Sequence, residues 1–251
     1  MDVLIVGAGS MGTWFGDAVD ADVTFADVDP DAAAAAAAAT GGDVTDLERD
    51  DAYDVVCIAV PLGYAADAIA EHAPRARRAI VDVSGVMAEP LEAMAHHAPD
   101  SERASLHPLF APERAPGSIA VVRENEGATI DALLEALERR GNDLVETTAA
   151  EHDEAMETVQ ATTHAAVLSF ALAANRVPEG FETPIYDELR TLAAQMTEGT
   201  PRVYADIQET FDGAEDVADA ATAIADADPD ELESLYREAA RRVHGDDTRE
   251  E

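Results

Sequence analysis

The sequence predicts an α/β fold, in which a doubly wound, mostly parallel sheet is followed by an all-helical C-terminal domain. Short apolar runs alternate with helix-length segments up to about residue 148, as expected when helices cover both faces of a parallel sheet. After residue 148 only helical periodicity continues. A glycine-rich turn directly after the first apolar run makes the sheet domain Rossmann-type. We place the boundary near Ala149, which gives domains 1–148 and 149–251.

The glycine-rich turn follows the first predicted strand, residues 2–6. Gly7, Gly9 and Gly12 have the G-x-G-x-x-G spacing, which provides a tight turn, room for a pyrophosphate and close packing of helix on strand. The helix predicted from Ser10 would direct its N–H groups and positive dipole end at that pyrophosphate. The predicted nucleotide-binding residues of this turn are Gly7, Gly9, Ser10, Met11 and Gly12.

An acidic residue ends the second predicted strand, residues 22–26. Asp27 follows Gly7 by 20 residues, which is the separation of the acid that binds the adenosine ribose in such folds. Its carboxylate would accept hydrogen bonds from the ribose hydroxyls and repel a 2′-phosphate. The sequence therefore predicts NAD as the cofactor rather than NADP. The alternative is a doubly wound fold with an ordinary glycine turn and no dinucleotide.

The other elements continue the same alternation in chain order. Further strands are predicted at 54–59, 79–83, 103–107, 118–122 and 143–147, with helices at 10–19, 29–39, 63–72, 87–97 and 127–140. The run of eight alanines in the second helix has high helix propensity and little bulk for packing. The helical domain is predicted to comprise 149–175, 184–197, 201–211, 214–226 and 229–243. We expect it to close a substrate cleft and to form a homodimer.

The chain is strongly acidic, with a net charge of −37 from 53 acidic and 16 basic residues, and every basic residue is an arginine. Self-repulsion of this size opposes compaction at low ionic strength. Molar salt reduces the Debye length to about 3 Å and screens the repulsion. We therefore expect a halophilic protein of a salty cytoplasm. Binding to nucleic-acid phosphates is disfavoured, although charge alone also allows a nucleic-acid mimic.

The single cysteine, Cys57, excludes an intrachain disulfide, and its apolar surroundings predict a buried small hydrophobe. No apolar run approaches the length of a membrane span, and the chain begins without a basic leader segment. We expect a cytoplasmic protein without membrane contact. The spacing of histidines does not resemble a metal site, and no metal is predicted.

Two polar clusters could carry chemistry. His107 lies at a predicted strand end, where ligands bind in open α/β sheets, and it could accept a proton from a substrate hydroxyl at a pH above about 6.5. The alternative is a histidine that only caps the strand. Asp153, Glu157, Gln160 and His164 follow one another at steps of four, three and four, which predicts one helix stripe. Such a stripe is also typical of a solvated face.

The order of these segments resembles the prephenate dehydrogenases of tyrosine biosynthesis, the TyrA family. The segments that carry the resemblance occur in the family's order over roughly residues 1–210. They are GAGSMG, CIAVP, VDVSGVM, LHPLFAP, a His-Asp pair with QATTH, TPIY and VYADI. The resemblance implies that His107 is the catalytic residue. It also implies a cofactor contact at Val60 and Pro61, substrate-pocket residues at His164, Gln160 and Tyr204, and acids beside the active site at Glu113 and Asp153.

The chain departs from that family at two positions. The family's Ser-Val-Lys reads Gly85-Val86-Met87 here, and Ser84, one position earlier, is predicted to assist His107. The family's prephenate-binding arginine corresponds to Gln195. Arg190 and Arg202 are the candidates to compensate, and we assign Arg190 to substrate binding.

The resemblance implies NAD-dependent oxidative decarboxylation of prephenate to 4-hydroxyphenylpyruvate. In this reaction His107 accepts a hydrogen bond from the C4 hydroxyl while hydride leaves C4. Two alternatives stay open. The enzyme could be an arogenate dehydrogenase, which Gln195 in place of arginine favours, or the chain could be a non-catalytic NAD-sensing Rossmann module.

Overall fold

One eight-stranded sheet organises the first part of the protein in a computed structural model that describes residues 1–245. The strand order is β3-β2-β1-β4-β5-β6-β7-β8, and every neighbouring pair is parallel except β6–β7. The strands are β1 (Asp2–Val6), β2 (Asp22–Ala26), β3 (Asp43–Val44), β4 (Tyr53–Ile58), β5 (Ala76–Asp82), β6 (Glu102–Pro108), β7 (Ser118–Asn125) and β8 (Asp143–Glu146). The order of the first six is that of a Rossmann fold, which confirms the predicted class. The two-residue β3 was not predicted, because it is too short to carry a periodic signal.

The sheet buries both faces, as its apolar strands predict. In β1, Val3 and Ile5 belong to one core while Leu4 and Val6 belong to the other. The first core is covered by α1 (Ser10–Ala18), α2 (Pro30–Thr40) and α5 (Ala128–Arg139), and the second by α3 (Ala65–His72) and α4 (Ala88–His97). Cys57 is fully buried in the first core, as predicted.

The chain divides into two compact units, Met1–Met156 and the residues from Glu157 onward. The first unit ends with α6 (Ala149–Met156), which packs on α4. The domain boundary predicted near Ala149 lies one short helix before this division. The second unit contains α7 (Thr163–Ala173), α8 (Pro184–Thr197), α9 (Pro201–Thr210), α10 (Gly213–Asp226) and α11 (Pro229–His244). Residues 246–251 of the predicted helical domain lie outside the described residues.

The sequence predicts a regular α-helix from Asp153 to His164, with polar residues along one stripe. The regular spacing is wrong, because Glu157–Thr162 form a π-helix. The hydroxyls of Thr162 and Thr163 donate to the carbonyls of Glu157 and Thr158, five residues earlier. A π segment adds a residue to the turn and therefore rotates the residues that follow. Over residues 1–245, the helices are all too short or too polar to cross a lipid bilayer.

Candidate active site

The glycine turn lies where the strand order of the sheet reverses, between β1 and β4. Gly7 has φ +102°, and a Cβ on it would collide with the carbonyl oxygen of Ala59 after β4. A Cβ on Gly12 would collide with the carbonyl oxygen of Gly7. A Cβ on Gly9 would meet nothing within 4 Å. The turn is thus closed by backbone packing at Gly7 and Gly12 and open at Gly9, as a bound pyrophosphate requires.

Asp27 lies beside this turn and is held by two backbone amides. Its Oδ2 accepts a hydrogen bond from the N–H of Ala8 at 2.6 Å, and its Oδ1 accepts one from Asp29 at 2.8 Å. The carboxylate is therefore fixed at the carboxyl end of β2, adjacent to the residues that would bind a pyrophosphate. These features of the turn and of Asp27 fit a dinucleotide.

The other predicted cofactor residues lie in or next to the same turn. Ser10 and Met11 begin α1, whose N-terminus follows Gly9 directly. A Cβ on Gly7 would also approach the backbone nitrogen of Val60 at 3.0 Å. Pro61 precedes the 3₁₀ turn Leu62–Tyr64. The loop after β4 is thus packed against the glycine turn, and the cofactor role of Val60 and Pro61 stays a prediction.

His107 lies near the carboxyl end of β6, at the sheet edge that also holds the glycine turn. It is 7% exposed, and its Nδ1 is 2.9 Å from Nε2 of His152. A Cβ on Gly85, after β5, would lie 3.9 Å from Nε2 of His107. Burial and the neighbouring His152 lower the pKa of His107 to about 3, against the opposing effect of Asp153. His107 is consequently neutral at physiological pH, and the value near 6.5 expected from the sequence is corrected.

His152 is the residue that the sequence reasoning did not assign to the site. It is 3% exposed, and its Nδ1 is 2.8 Å from Oδ1 of Asp153. The Asp153 carboxylate also accepts hydrogen bonds from the N–H groups of Met87 and Ala88, at the start of α4. The adjacent His-Asp pair was visible in the sequence, but its contact with a histidine 45 residues away depends on the tertiary fold.

Ser84 and Asp82 lie at the end of β5, next to His107 in the sheet order. Ser84 is 6% exposed, and its N–H donates to Oδ2 of Asp82 at 2.8 Å. Burial raises the pKa of Asp82 to about 6, although hydrogen bonds with Ser105 and Ser84 and the nearby His152 oppose this shift. The assistance of Ser84 to His107 stays a prediction.

Four predicted substrate residues lie in the second unit. Gln160 is in the π segment, and the rings of His164 and Tyr204 meet edge to face with centroids 4.8 Å apart. Burial lowers the pKa of His164. Arg190 is exposed and pairs with Asp187 at 3.5 Å.

The remaining predicted positions are more solvated or already paired. Glu113 is exposed in the 3₁₀ turn Pro112–Arg114 of the first unit, and Gln195 is exposed on α8. Arg202 pairs with the buried Asp206 at 2.6 Å. Of the two arginines that could compensate for Gln195, Arg202 is therefore already paired with an acidic side chain. The substrate roles of Arg190 and Glu113 stay predictions.

A neutral histidine at the same end of the sheet as an open glycine turn suits hydride transfer between a dinucleotide and a hydroxyl-bearing substrate. The fold and site therefore place the protein among the dinucleotide-dependent dehydrogenases. Residues 17–125 match the family model described as prephenate dehydrogenase, nucleotide-binding domain. The chain is 30% identical to a 4-amino-4-deoxyprephenate dehydrogenase of Streptomyces pristinaespiralis over 230 residues, which cover 84% of this chain and 78% of that protein. The chain thus belongs to the prephenate dehydrogenase family.

Two solved structures have the same fold. The prephenate dehydrogenase of A. aeolicus, in complex with hydroxyphenyl propionate and NAD+, superimposes with a TM-score of 0.70 at 14% identity, over 97% of each chain. The arogenate dehydrogenase of Synechocystis gives a TM-score of 0.62 at 14% identity, over 97% of this chain and 99% of the other. At these identities the likeness concerns the fold alone. The chain also spans 38% and 43% of the length of two further relatives.

Proposed function

We propose that the protein catalyses the NAD-dependent oxidative decarboxylation of prephenate to 4-hydroxyphenylpyruvate. The observation that carries this proposal is the buried, neutral His107 at the sheet edge that holds the glycine turn. Membership of the prephenate dehydrogenase family supports the substrate class. A neutral imidazole has a lone pair to offer to the hydroxyl hydrogen, so His107 needs no prior deprotonation to act as the acceptor.

His107 would act on the hydroxyl at C4 of prephenate. Its imidazole would accept the hydroxyl proton as the C4–O bond gains carbonyl character, and NAD, held by the glycine turn and Asp27, would accept the hydride that leaves C4. The bond to the ring carboxylate then breaks, CO₂ leaves, and the proton held by His107 returns to the oxygen of the new phenol. Because aromatisation drives the second step, the protein mainly has to orient the substrate and hold one proton.

The direct test offers the purified protein in molar KCl three substrates separately: prephenate, arogenate and 4-amino-4-deoxyprephenate. We expect stoichiometric NADH and the highest kcat/KM with prephenate. The third compound is included because it gives its name to the relative from S. pristinaespiralis, and a preference for it would reassign the group on which His107 acts. If NAD binds and none of the three yields NADH, the non-catalytic NAD-sensing module is the better interpretation.

Asp27 should make the enzyme prefer NAD over NADP. Opposite a 2′-phosphate, its charge costs several kcal/mol at short range, so we expect kcat/KM to be at least about 100-fold higher with NAD. Asp27→Ser should reduce this ratio to within about tenfold. Asp22→Ser is the matched control, because it removes the same charge at the opposite end of β2 and should leave the ratio unchanged. Equal efficiency of the wild type with both cofactors would remove Asp27 from this role.

We also propose that the protein is adapted to a salt-rich cytoplasm. Even if each of the 16 arginines paired with one acid, 37 acidic residues would stay uncompensated. We expect the midpoint of thermal unfolding to rise steadily from 0.05 to 1 M KCl, the range over which the Debye length falls to about 3 Å. A midpoint that stays constant over this range would contradict the halophilic interpretation.

A homodimer through the helical unit is our third proposal. The segment α7 is apolar around its circumference, yet none of its eleven residues is fully buried, although such helices are normally covered. On α11, Tyr236 and Val243 lie two turns apart and are each 78% exposed. Light scattering in molar KCl should give twice the chain mass of 26.5 kDa. Leu172→Glu on α7 should produce monomers, and a monomeric wild type would contradict the proposal.

A further inference from the structure

A chain of two hydrogen bonds connects His107 to a carboxylate through a second histidine. Nδ1 of His107 is 2.9 Å from Nε2 of His152, and Nδ1 of His152 is 2.8 Å from Oδ1 of Asp153. The side chain of His152 is 1% exposed, so water has little access to its two ring nitrogens. The backbone N–H groups of Met87 and Ala88 donate to the same carboxylate at 3.0 and 3.1 Å.

The carboxylate end determines the direction of every hydrogen bond in this chain. Burial raises the pKa of Asp153, but the hydrogen bonds from His152, Ala88 and Met87 together lower it below its usual value. Ionised Asp153 can only accept, so Nδ1 of His152 carries a hydrogen. When the His152 imidazole is neutral, its other nitrogen is an acceptor, so Nε2 of His152 accepts from the Nδ1–H of His107.

We propose that His152 and Asp153 are positioning residues that hold His107 as its Nδ1–H tautomer, with the accepting lone pair on Nε2. This inference rests on the proposed function, in which a substrate hydroxyl donates its proton to His107. Nε2 is the nitrogen on the Gly85 side of the ring. The resemblance implied that Asp153 belongs to an acidic network beside the site, whereas the geometry gives it a specific task.

The proton balance of this arrangement is simple. One proton moves from the substrate hydroxyl to Nε2 of His107, and it returns to the product oxygen after CO₂ leaves. Neither His152 nor Asp153 gains or loses a proton. Asp153 stabilises the transient imidazolium of His107 through His152. When Asp82 is ionised, its carboxylate adds a second negative charge that acts on His152.

The tautomer of His107 can be measured without any substrate. The full chain, labelled with ¹⁵N in its seven histidines, would be studied in molar KCl by long-range proton–nitrogen NMR, with His107→Asn and His152→Gln used for assignment. We expect both His107 and His152 to carry their hydrogen on Nδ1. A hydrogen on Nε2 of His107 in the wild type would overturn the proposal. Because no turnover is needed, this result is independent of the proposed function.

Two substitutions at His152 separate positioning from packing. His152→Gln keeps a side-chain oxygen that can accept from Nδ1–H of His107, whereas His152→Leu fills the space without an acceptor. We expect kcat within about tenfold of wild type for the glutamine variant and about a 100-fold loss for the leucine variant, with KM for NAD unchanged in both. Equal kcat in the two variants would overturn the proposal. His72→Leu, which removes a buried histidine on α3, is the matched control and should retain kcat.

Asp153→Ala tests the carboxylate end of the chain. Oδ1 of Asp153 accepts from both His152 and the N–H of Met87, so alanine, which offers no acceptor at all, is the informative substitution. Without the carboxylate neither tautomer of His152 is favoured and the hydrogen of His107 is no longer confined to Nδ1, so we expect a loss of kcat of about 100-fold, smaller than the loss of about 10⁴-fold that the wrong tautomer causes in a Ser-His-Asp triad. The NMR signals of His107 should change together with kcat. A variant that loses kcat while His107 keeps its hydrogen on Nδ1 would contradict the proposed role of Asp153.

Discussion

Replacing His107 with asparagine should lower kcat by at least about 100-fold, while the affinity for NAD changes little. A general base contributes roughly 10²–10⁴ to the rate of such a reaction, and asparagine cannot accept a proton near neutral pH. The side chain is similar in reach and polar, so the sheet edge should stay intact. The loss should fall on kcat rather than on KM for NAD, since the interaction matters mainly in the transition state.

The pH dependence distinguishes the buried His107 from an exposed histidine. Because the pKa of His107 is lowered to about 3, the residue is a neutral acceptor at any pH well above that value. We therefore expect kcat to show no ionisation of this histidine between pH 5 and 8. An ionisation near 6.5 that disappears in His107→Asn would show that the ring is solvated. An asparagine variant within a few-fold of wild type would move the base to His164 or His152.

The parts of the site that could be predicted from the sequence are those with local causes. The glycine turn and Asp27 have a fixed spacing because one strand, one turn and one helix set their geometry, and the structure brings them together. The position of His107 followed from a strand end in an α/β sheet. Its burial and its lowered pKa did not, because both depend on packing against α6, a helix that begins 42 residues later.

The π segment shows a different limit of sequence reasoning. Apolar and polar residues from Ala149 to Asn175 fit α-helical spacing, and the pattern alone gives no sign of the extra residue in the turn. Within the second unit, a Cβ on Gly213 would collide with the backbone nitrogen of Thr162, so α10 begins in close contact with this segment. Such a contact is tertiary. A periodic pattern predicts that a helix exists, but it does not show where packing distorts the helix.

The glycine turn allows a sharp test, because the same substitution should have different effects at two positions. Alanine should lower the unfolding midpoint in place of Gly12 and the affinity for NAD in place of Gly9. Gly12→Ala places a methyl group against the carbonyl oxygen of Gly7, which is backbone and cannot rotate away. Overpacking of this kind costs up to about 3 kcal/mol, more than the roughly 1 kcal/mol that alanine gains in a helix. At about 2–4 °C per kcal/mol for a chain of this size, we expect the unfolding midpoint to fall by about 4–8 °C without any ligand present.

Gly9→Ala should leave that midpoint within about 2 °C of wild type and instead weaken NAD binding by at least about 100-fold. Gly9 has φ −68°, which alanine adopts without strain, and its methyl group would enter open space. That space is where the pyrophosphate must approach the backbone, so the cost should arise only when the dinucleotide binds. Calorimetry of NAD binding and thermal unfolding, both in molar KCl, would measure the two effects. Normal NAD affinity in Gly9→Ala would mean that the nucleotide does not lie over this turn. An unchanged midpoint in Gly12→Ala would mean that α1 can move away from β1, and the closed half of the turn would then not be the rigid support that the site requires.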